Sequence, residues 1–388
     1  MNEIHSQETE SGLICVGEDG FGDVEPLRKH KLLKNNKFLC LFVMNIVKVF
    51  MNFIPDSDLK QKMRTLKKIL YLNIHSFDVE DYCKEKKLEN FNYFAGNYKL
   101  SIVNDLYVNI YSFYSYIYDE DKNLIRESVL DNKIVHLPKH KLKLSKSNVI
   151  ELDEAVCLSL LCLKNLWHFT FQGLDKILAL EEAGYKGKYL VFDTEFIRKL
   201  LQFCDIPDNK IIFVKEGQIY KVKKLHIIHN CGLYDKNVLQ QIKRRVISKI
   251  DMSDISKYPK KLFVRRIGYS RKLKNEEEII KILKKYGFEM MFPDDYPFEE
   301  QIKYFYAADV VFTPHGANST NALFMREGTR FIECFGRNYI TPFMQDIIQD
   351  NKMLYNMLVE WNYSSKAGKK DSDYQIKSTL VENTVYNL

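Results

Sequence analysis

The chain has 388 residues, 46% of them hydrophobic and 28% charged, proportions that exclude a disordered or low-complexity chain and allow two domains with sizeable cores. Its net charge of +7 comes from lysines spread along the sequence, which argues against a dedicated nucleic-acid binder and suits an anionic substrate or membrane surface. The eight cysteines, at 15, 40, 83, 157, 162, 204, 231 and 334, form no C-x-x-C pair and no Cys/His metal spacing, so they read as reduced core thiols of a cytosolic chain.

Residues 1–27 are polar and contain Gly17, Gly20 and Gly22, the pattern of a leader. Gly20-Phe21-Gly22 lacks the further glycine and the preceding strand of a dinucleotide fingerprint. Basic residues from 28 to 37 precede an apolar run, 38–54, interrupted by Asn45, Lys48 and Asn52 on one helical face. That run is too polar for a bilayer span of ~20 apolar residues, and it has no signal-peptide cleavage site. Two readings stay open for it: an amphipathic helix lying in an anionic membrane interface, or a helix packed on the protein's own first domain.

Between 60 and 150 the pattern is mixed. Asp119-Glu120-Asp121 has the form of a metal-holding D-x-D after an apolar strand, but Asp and Asn are favoured turn residues and a hairpin turn is the better reading. Residues 155–180 read as one or two helices, on which Asn165, His168, Gln172 and Asp175 recur at i, i+3, i+7 and i+10. A polar stripe on an otherwise apolar helix faces a cleft, water or satisfied partners. Strands at 189–193 and 210–214 flank a helix at 196–203, and a helix follows at 236–250. Strand 261–266 leads to a helix that Asn275 can cap, with Glu278 as capping-box partner and Gly287 at its end. Strand 288–292, a helix on Phe298, Ile302 and Phe305, strand 309–314, helix 319–326 and strand 330–335 complete the alternation.

That alternation predicts doubly wound parallel sheets. Where strand 309–314 ends, His315-Gly316-Ala317 opens a helix, so unpaired N–H groups and the positive end of the helix dipole would face a crevice suited to a diphosphate. Arg265 and Arg271 would flank the same crevice, and a planar guanidinium fits phosphate oxygens.

These residues carry a family resemblance. Leu262-Phe263-Val264-Arg265-Arg266, Arg271, Asn275-Glu276, Phe298-Glu299-Glu300-Gln301, Ala308-Asp309-Val310, Pro314-His315-Gly316-Ala317, Thr320-Asn321 and Ile332-Glu333 resemble glycosyltransferase family 61. Asn165-Leu166-Trp167-His168 is similar to the Asn-aromatic-His element of the same family, which extends the likeness over residues 95–340. The resemblance implies a GT-B-like α/β architecture: two Rossmann-like doubly wound domains facing a cleft. Residues 1–60 would be the leader and helical, membrane-interface segment, 61–235 the acceptor-side domain, 236–345 the nucleotide-sugar domain and 346–388 a tail packing back on the domains. It further implies an inverting transfer from a nucleotide-sugar donor to a glycan or lipid-linked glycan hydroxyl, with no metal or other cofactor.

Carried over by position, Arg265, Arg271, His315, Gly316 and Ala317 would hold the diphosphate, with Ser319, Thr320 and Asn321 at the helix start and Glu333 on the ribose hydroxyls. Asn318 replaces a glycine of the family pattern, and asparagine tolerates left-handed backbone. Gln172 stands where the family often has an acid. An amide cannot serve as a base, so His168 or Asp175 would deprotonate the acceptor. A scaffold that keeps the pocket but has lost the chemistry is the alternative, while a nucleic-acid partner has only the positive charge behind it. Composition and family together point to bacterial capsule or lipopolysaccharide synthesis at the cytoplasmic face of the membrane.

Overall fold

A computed structural model describes residues 43, 46–47, 76–77, 91–95, 98–110, 115–125, 142, 149–158, 164–229, 234–341, 343–360, 372–386 and 388. Of the segment 28–54 only Val43, Ile46 and Val47 are among them, all helical, so the choice between membrane interface and core lies outside the described residues, as does the leader. Among the described residues no helix is long and apolar enough to cross a membrane.

The first sheet contains β1 (Ser76–Phe77), β2 (Phe91–Ala95), β3 (Tyr98–Ile110), β4 (Ser115–Tyr118), β5 (Leu124–Ile125), β6 (Val149–Cys157), β7 (Lys188–Phe192), β8 (Ile211–Val214) and β9 (Gln218–His229). Their order is β1-β5-β4-β3-β9-β6-β7-β8, with β2 beside β3. Strands β9, β6, β7 and β8 run parallel, whereas β3 lies antiparallel to β9, β4 and β2. The sheet is therefore mixed, where a doubly wound parallel sheet was expected. Tight hairpins join only antiparallel neighbours, and one of them is the Asp119 turn between β4 and β5. The Asp119 carboxylate accepts the Asn123 main-chain N–H at 2.7 Å and its side-chain amide at 3.1 Å, so this D-x-D is a turn. The expected helix at 155–180 starts later, because Ala155, Val156 and Cys157 belong to β6.

A helical stretch follows, with α geometry in α1 (Leu166–Phe169), a wider π turn over Thr170–Leu174, and α geometry again in α2 (Asp175–Glu182). Helices α3 (Glu195–Phe203) and α4 (Lys236–Lys249) complete this half.

The second sheet contains β10 (Lys261–Val264), β11 (Glu289–Met291), β12 (Val310–Pro314), β13 (Arg330–Gly336) and β14 (Leu354–Glu360), ordered β11-β10-β12-β13-β14 and parallel throughout. Helices α5 (Glu276–Lys285), α6 (Phe298–Ala307) and α7 (Phe343–Asp350), and a 3-10 helix at Ala317–Phe324, form the crossovers. Side chains alternate between two cores. Leu262, Val264, Val311 and Phe331 face the core shared with the first sheet, while Phe263, Val310, Phe312 and Ile332 face a second core with α5 and α8 (Ser378–Tyr386). Strands buried on both faces read as unbroken apolar runs, which made β12 and β13 visible in the sequence.

Asn275 precedes α5 but does not cap it as expected. Its side chain instead accepts the Ile376 N–H at 3.3 Å and donates to the Ile376 carbonyl at 2.8 Å, tying down the carboxyl-terminal segment. Gly287, with φ at 80°, ends the helix as its composition suggested. The two halves touch through hydrogen bonds as well as the shared core: Glu195 accepts the Phe298 N–H at the start of α6 at 3.0 Å, and Lys243 donates to the Met325 carbonyl at 2.6 Å.

Candidate functional site

From β10 the chain moves outward to β11 and then returns to β12 on the other side, so the winding reverses between β10 and β12. At such a point the crossovers diverge and leave a crevice at the strands' carboxyl ends. Arg265 and Arg266 leave β10 at that end, and His315 and Gly316 leave β12. The second sheet thus brings the two sequence-predicted clusters together.

Arg265 is engaged within the protein. Its guanidinium donates to Glu276 at 2.7 and 3.1 Å and reaches Glu277 at 3.4 Å, and the Glu276 hydrogen bond raises its pKa further. Arg266, which the sequence analysis did not single out, lies on the turn itself. A Cβ at position 316 would stand 1.9 Å from Arg266 Nη1, so the guanidinium occupies the space that only a glycine leaves. Gly316 has φ at −178°, ordinary extended backbone, so its requirement is room and not an unusual conformation. Arg266 Nε also donates to the Ser270 carbonyl at 2.6 Å. The only sequence signal for it was the adjacent arginine in the pair Arg265-Arg266.

Arg271 adopts φ of 62°, and its guanidinium stands 4.5 Å from the Tyr339 ring. The same ring is 5.4 Å from His315, which stacks on Phe335 at 4.7 Å. His315 Nδ1 is 2.7 Å from Glu333 Oε1, an arrangement that fixes the imidazole and turns Nε2 away from the carboxylate. Glu333 itself has no exposed surface. Ser319 Oγ donates to its Oε1 at 2.6 Å and Tyr355 to its Oε2 at 2.8 Å. Burial, with the Glu333 charge second, holds the Tyr355 hydroxyl well above its usual pKa, so it remains a donor. The carboxylate expected on a ribose is thus used inside the protein. Thr320 and Asn321 are likewise fully buried, and Asn321 Nδ2 donates to Gln301 Oε1 at 3.1 Å, linking two of the sequence motifs as framework. His315 and Ala317 keep partly accessible surface at the turn.

Upstream, Asn165 caps α1 by accepting the N–H groups of Trp167 at 3.0 Å and His168 at 3.3 Å. Helix α1 packs on the 3-10 helix Ala317–Phe324, and Trp167 meets Phe343 at 5.5 Å between ring centroids. The His168 element and the His315 turn are neighbours by way of that packing. His168 Nδ1 is 2.7 Å from Gln172 Oε1; an amide oxygen accepts, so Nδ1 is the donor.

Asp175 does not share the stripe. The extra residue in the π turn shifts the helical phase by about 100° and carries Asp175 inward. It is fully buried, accepting the Tyr98 hydroxyl and the Lys176 N–H, and burial pushes its carboxyl up to about 6 against the lowering effect of Lys176 and Tyr98. In the unfolded chain the group titrates near 3.8. Between those values the folded state binds more protons, so stability falls as pH rises from about 4 to about 6 and is level above. Asp175→Asn is expected to flatten that decline in urea-unfolding free energies measured at several pH values across the window; an unchanged slope would remove Asp175 from the titration. Among the described residues no group of three or more His, Cys, Asp and Glu side chains could hold a metal ion.

A parallel five-stranded sheet with basic and imidazole groups at its switch point is the architecture of doubly wound α/β proteins that take a ligand at the strand ends. Residues 166–332 match the family model Glycosyltransferase 61, and a domain of that family implies sugar transfer. The match begins at α1 and ends in β13, enclosing both the His168 element and the switch point. No curated protein matches the chain.

Proposed function

We propose that the protein transfers a sugar, with inversion, from a nucleotide-sugar donor to a hydroxyl of a glycan or lipid-linked glycan. The observation that carries this reading is the meeting of Arg266, Gly316 and His315 at the switch point, with the His168 helix packed beside the same turn. Arg266, Arg271 and His315 hold the diphosphate, assisted by the main chain of Gly316 and Ala317. Arg265 and Glu276 set the start of α5, and Glu333 positions His315. His168 is the base. It takes the acceptor's proton as that oxygen bonds to the anomeric carbon and the bond from that carbon to the phosphate oxygen breaks, leaving the charge on the departing nucleoside diphosphate. The two sheets serve as the two halves of a GT-B-like cleft, and a place in bacterial surface-polysaccharide synthesis at the cytoplasmic face of the membrane suits the family and composition. No metal is required in this scheme.

The test is nucleotide release from UDP-, GDP-, ADP- and CDP-sugars and CMP-sugars, with thermal shifts for the free nucleotides. Ligand at a hundred times its Kd should add about 2.7 kcal/mol to apparent stability. One nucleotide class should shift the melting point and be released, and His168→Gln should lower kcat by about a hundredfold or more with the shift retained. A shift without release in any acceptor mixture would favour a binding scaffold, and no shift at all would sink the pocket.

A further inference from the structure

The helix that carries His168 contains an irregularity with its own supporting cast. In an α-helix the Gln172 carbonyl pairs with the Lys176 N–H. Here the Lys176 ammonium donates to that carbonyl at 2.5 Å, while the Lys176 N–H donates to Asp175 Oδ1 at 2.8 Å. Lysine 176 has no exposed surface, and its ammonium lies 5.3 Å from the Tyr98 ring, whose hydroxyl donates to Asp175. Buried ammonium groups are rare and costly unless paired, and a short polar side chain that competes for main-chain N–H groups loosens a regular helix. Each of these bonds favours the wide turn over an α turn. Gln172, the residue whose carbonyl Lys176 holds, is also the residue whose side chain grips His168 Nδ1.

We infer that Tyr98, Asp175 and Lys176 are positioning residues: Tyr98 from β3, with Asp175 and Lys176 at the start of α2, lock the π turn at Thr170–Leu174, and through Gln172 they fix the imidazole of His168. This rests on His168 being the base. The amide at position 172 would supply orientation where it cannot supply a base, and the charge of the cluster stays behind the helix, out of contact with the substrate.

The experiment compares wild type with Lys176→Met, which keeps length and removes the donor, and Tyr98→Phe, which keeps both charges and removes one hydrogen bond. The His168 imidazole is followed by nitrogen NMR titration in the ligand-free chain, assigned with His168→Gln, with His315 as internal control. Lys176→Met is expected to move the His168 titration by about half a pH unit or more and leave His315 in place. In transfer assays kcat should fall about tenfold with donor KM within about twofold, and the acid limb of the pH profile should move with the NMR value. Tyr98→Phe should show the same changes in smaller measure, and it carries the test if Lys176→Met does not fold. An unshifted His168 titration in a folded variant overturns the inference. If His168→Gln keeps full activity the base assignment fails instead, while the NMR titration still reports on the positioning.

Discussion

Gly316→Ala is expected to lower turnover by about a hundredfold while the chain keeps its fold. The added methyl would stand 1.9 Å from Arg266 Nη1, too close for both to remain. Residue 316 has extended backbone that alanine adopts freely, and Arg266 Nη1 is the far end of a flexible side chain, so the conflict is relieved by moving the guanidinium. Stability is then nearly unchanged, and the loss falls on whatever Arg266 does at the turn. A donor removed from the charge-bearing part of a transfer site typically costs about 3 kcal/mol in the transition state. Arg266→Ala should have a similar effect, and the double variant should be little worse than either single, because both changes remove the same contact. Full additivity in that cycle, or near-wild-type turnover for Gly316→Ala, would detach Arg266 from the chemistry.

Glu333→Ala is expected to destabilise the protein by about 3–5 kcal/mol, the largest stability effect at the site. Its carboxylate has no exposure and serves the donors of His315, Ser319 and Tyr355 together. Removing it leaves those donors without their acceptor, Ser319 fully buried and His315 and Tyr355 largely so, and each such loss costs about 1–3 kcal/mol. Glu333→Gln should be milder in stability, but its NH2 group faces donors and cannot accept, so His315 should lose its orientation and turnover should fall. Urea unfolding of both variants, with activity measured on the more stable one, decides the matter. A Glu333→Ala chain as stable as wild type would mean that water replaces the carboxylate, and the residue would then be free to meet a ribose.

Much of the second sheet was legible because buried parallel strands are written as apolar runs between helices with an amphipathic period, and β10, β12, β13, α5 and α6 all obey that rule. Strand β14 was read as part of a tail, since its apolar run is broken by Asn356 and begins with the exposed Leu354 at the sheet's last strand. The stripe through His168 and Asp175 was legible only on the assumption of a uniform helix; the π turn broke its phase between Gln172 and Asp175. Arg266 escaped notice because its meaning depends on a glycine fifty residues away, a relation that sequence spacing does not carry. Glu333 was read as meeting a ribose, but it lies in the middle of β13, and which way its carboxylate is used depends on Tyr355, from a strand the sequence did not announce.

The unit that folds is longer than the stretch that matches the family. The match stops at residue 332, inside β13, yet β14 pairs with β13 from Arg330 to Gly336, and Tyr374 donates to the Cys334 carbonyl at 2.8 Å. Cutting the chain at the end of the match would truncate β13 midway and strip off β14, turning an interior strand into an open edge that invites strand addition between molecules. The excised domain should therefore precipitate or assemble into β-rich aggregates. Useful dissection of this protein has to keep the residues through α8, even though nothing beyond β13 carries the family's motifs.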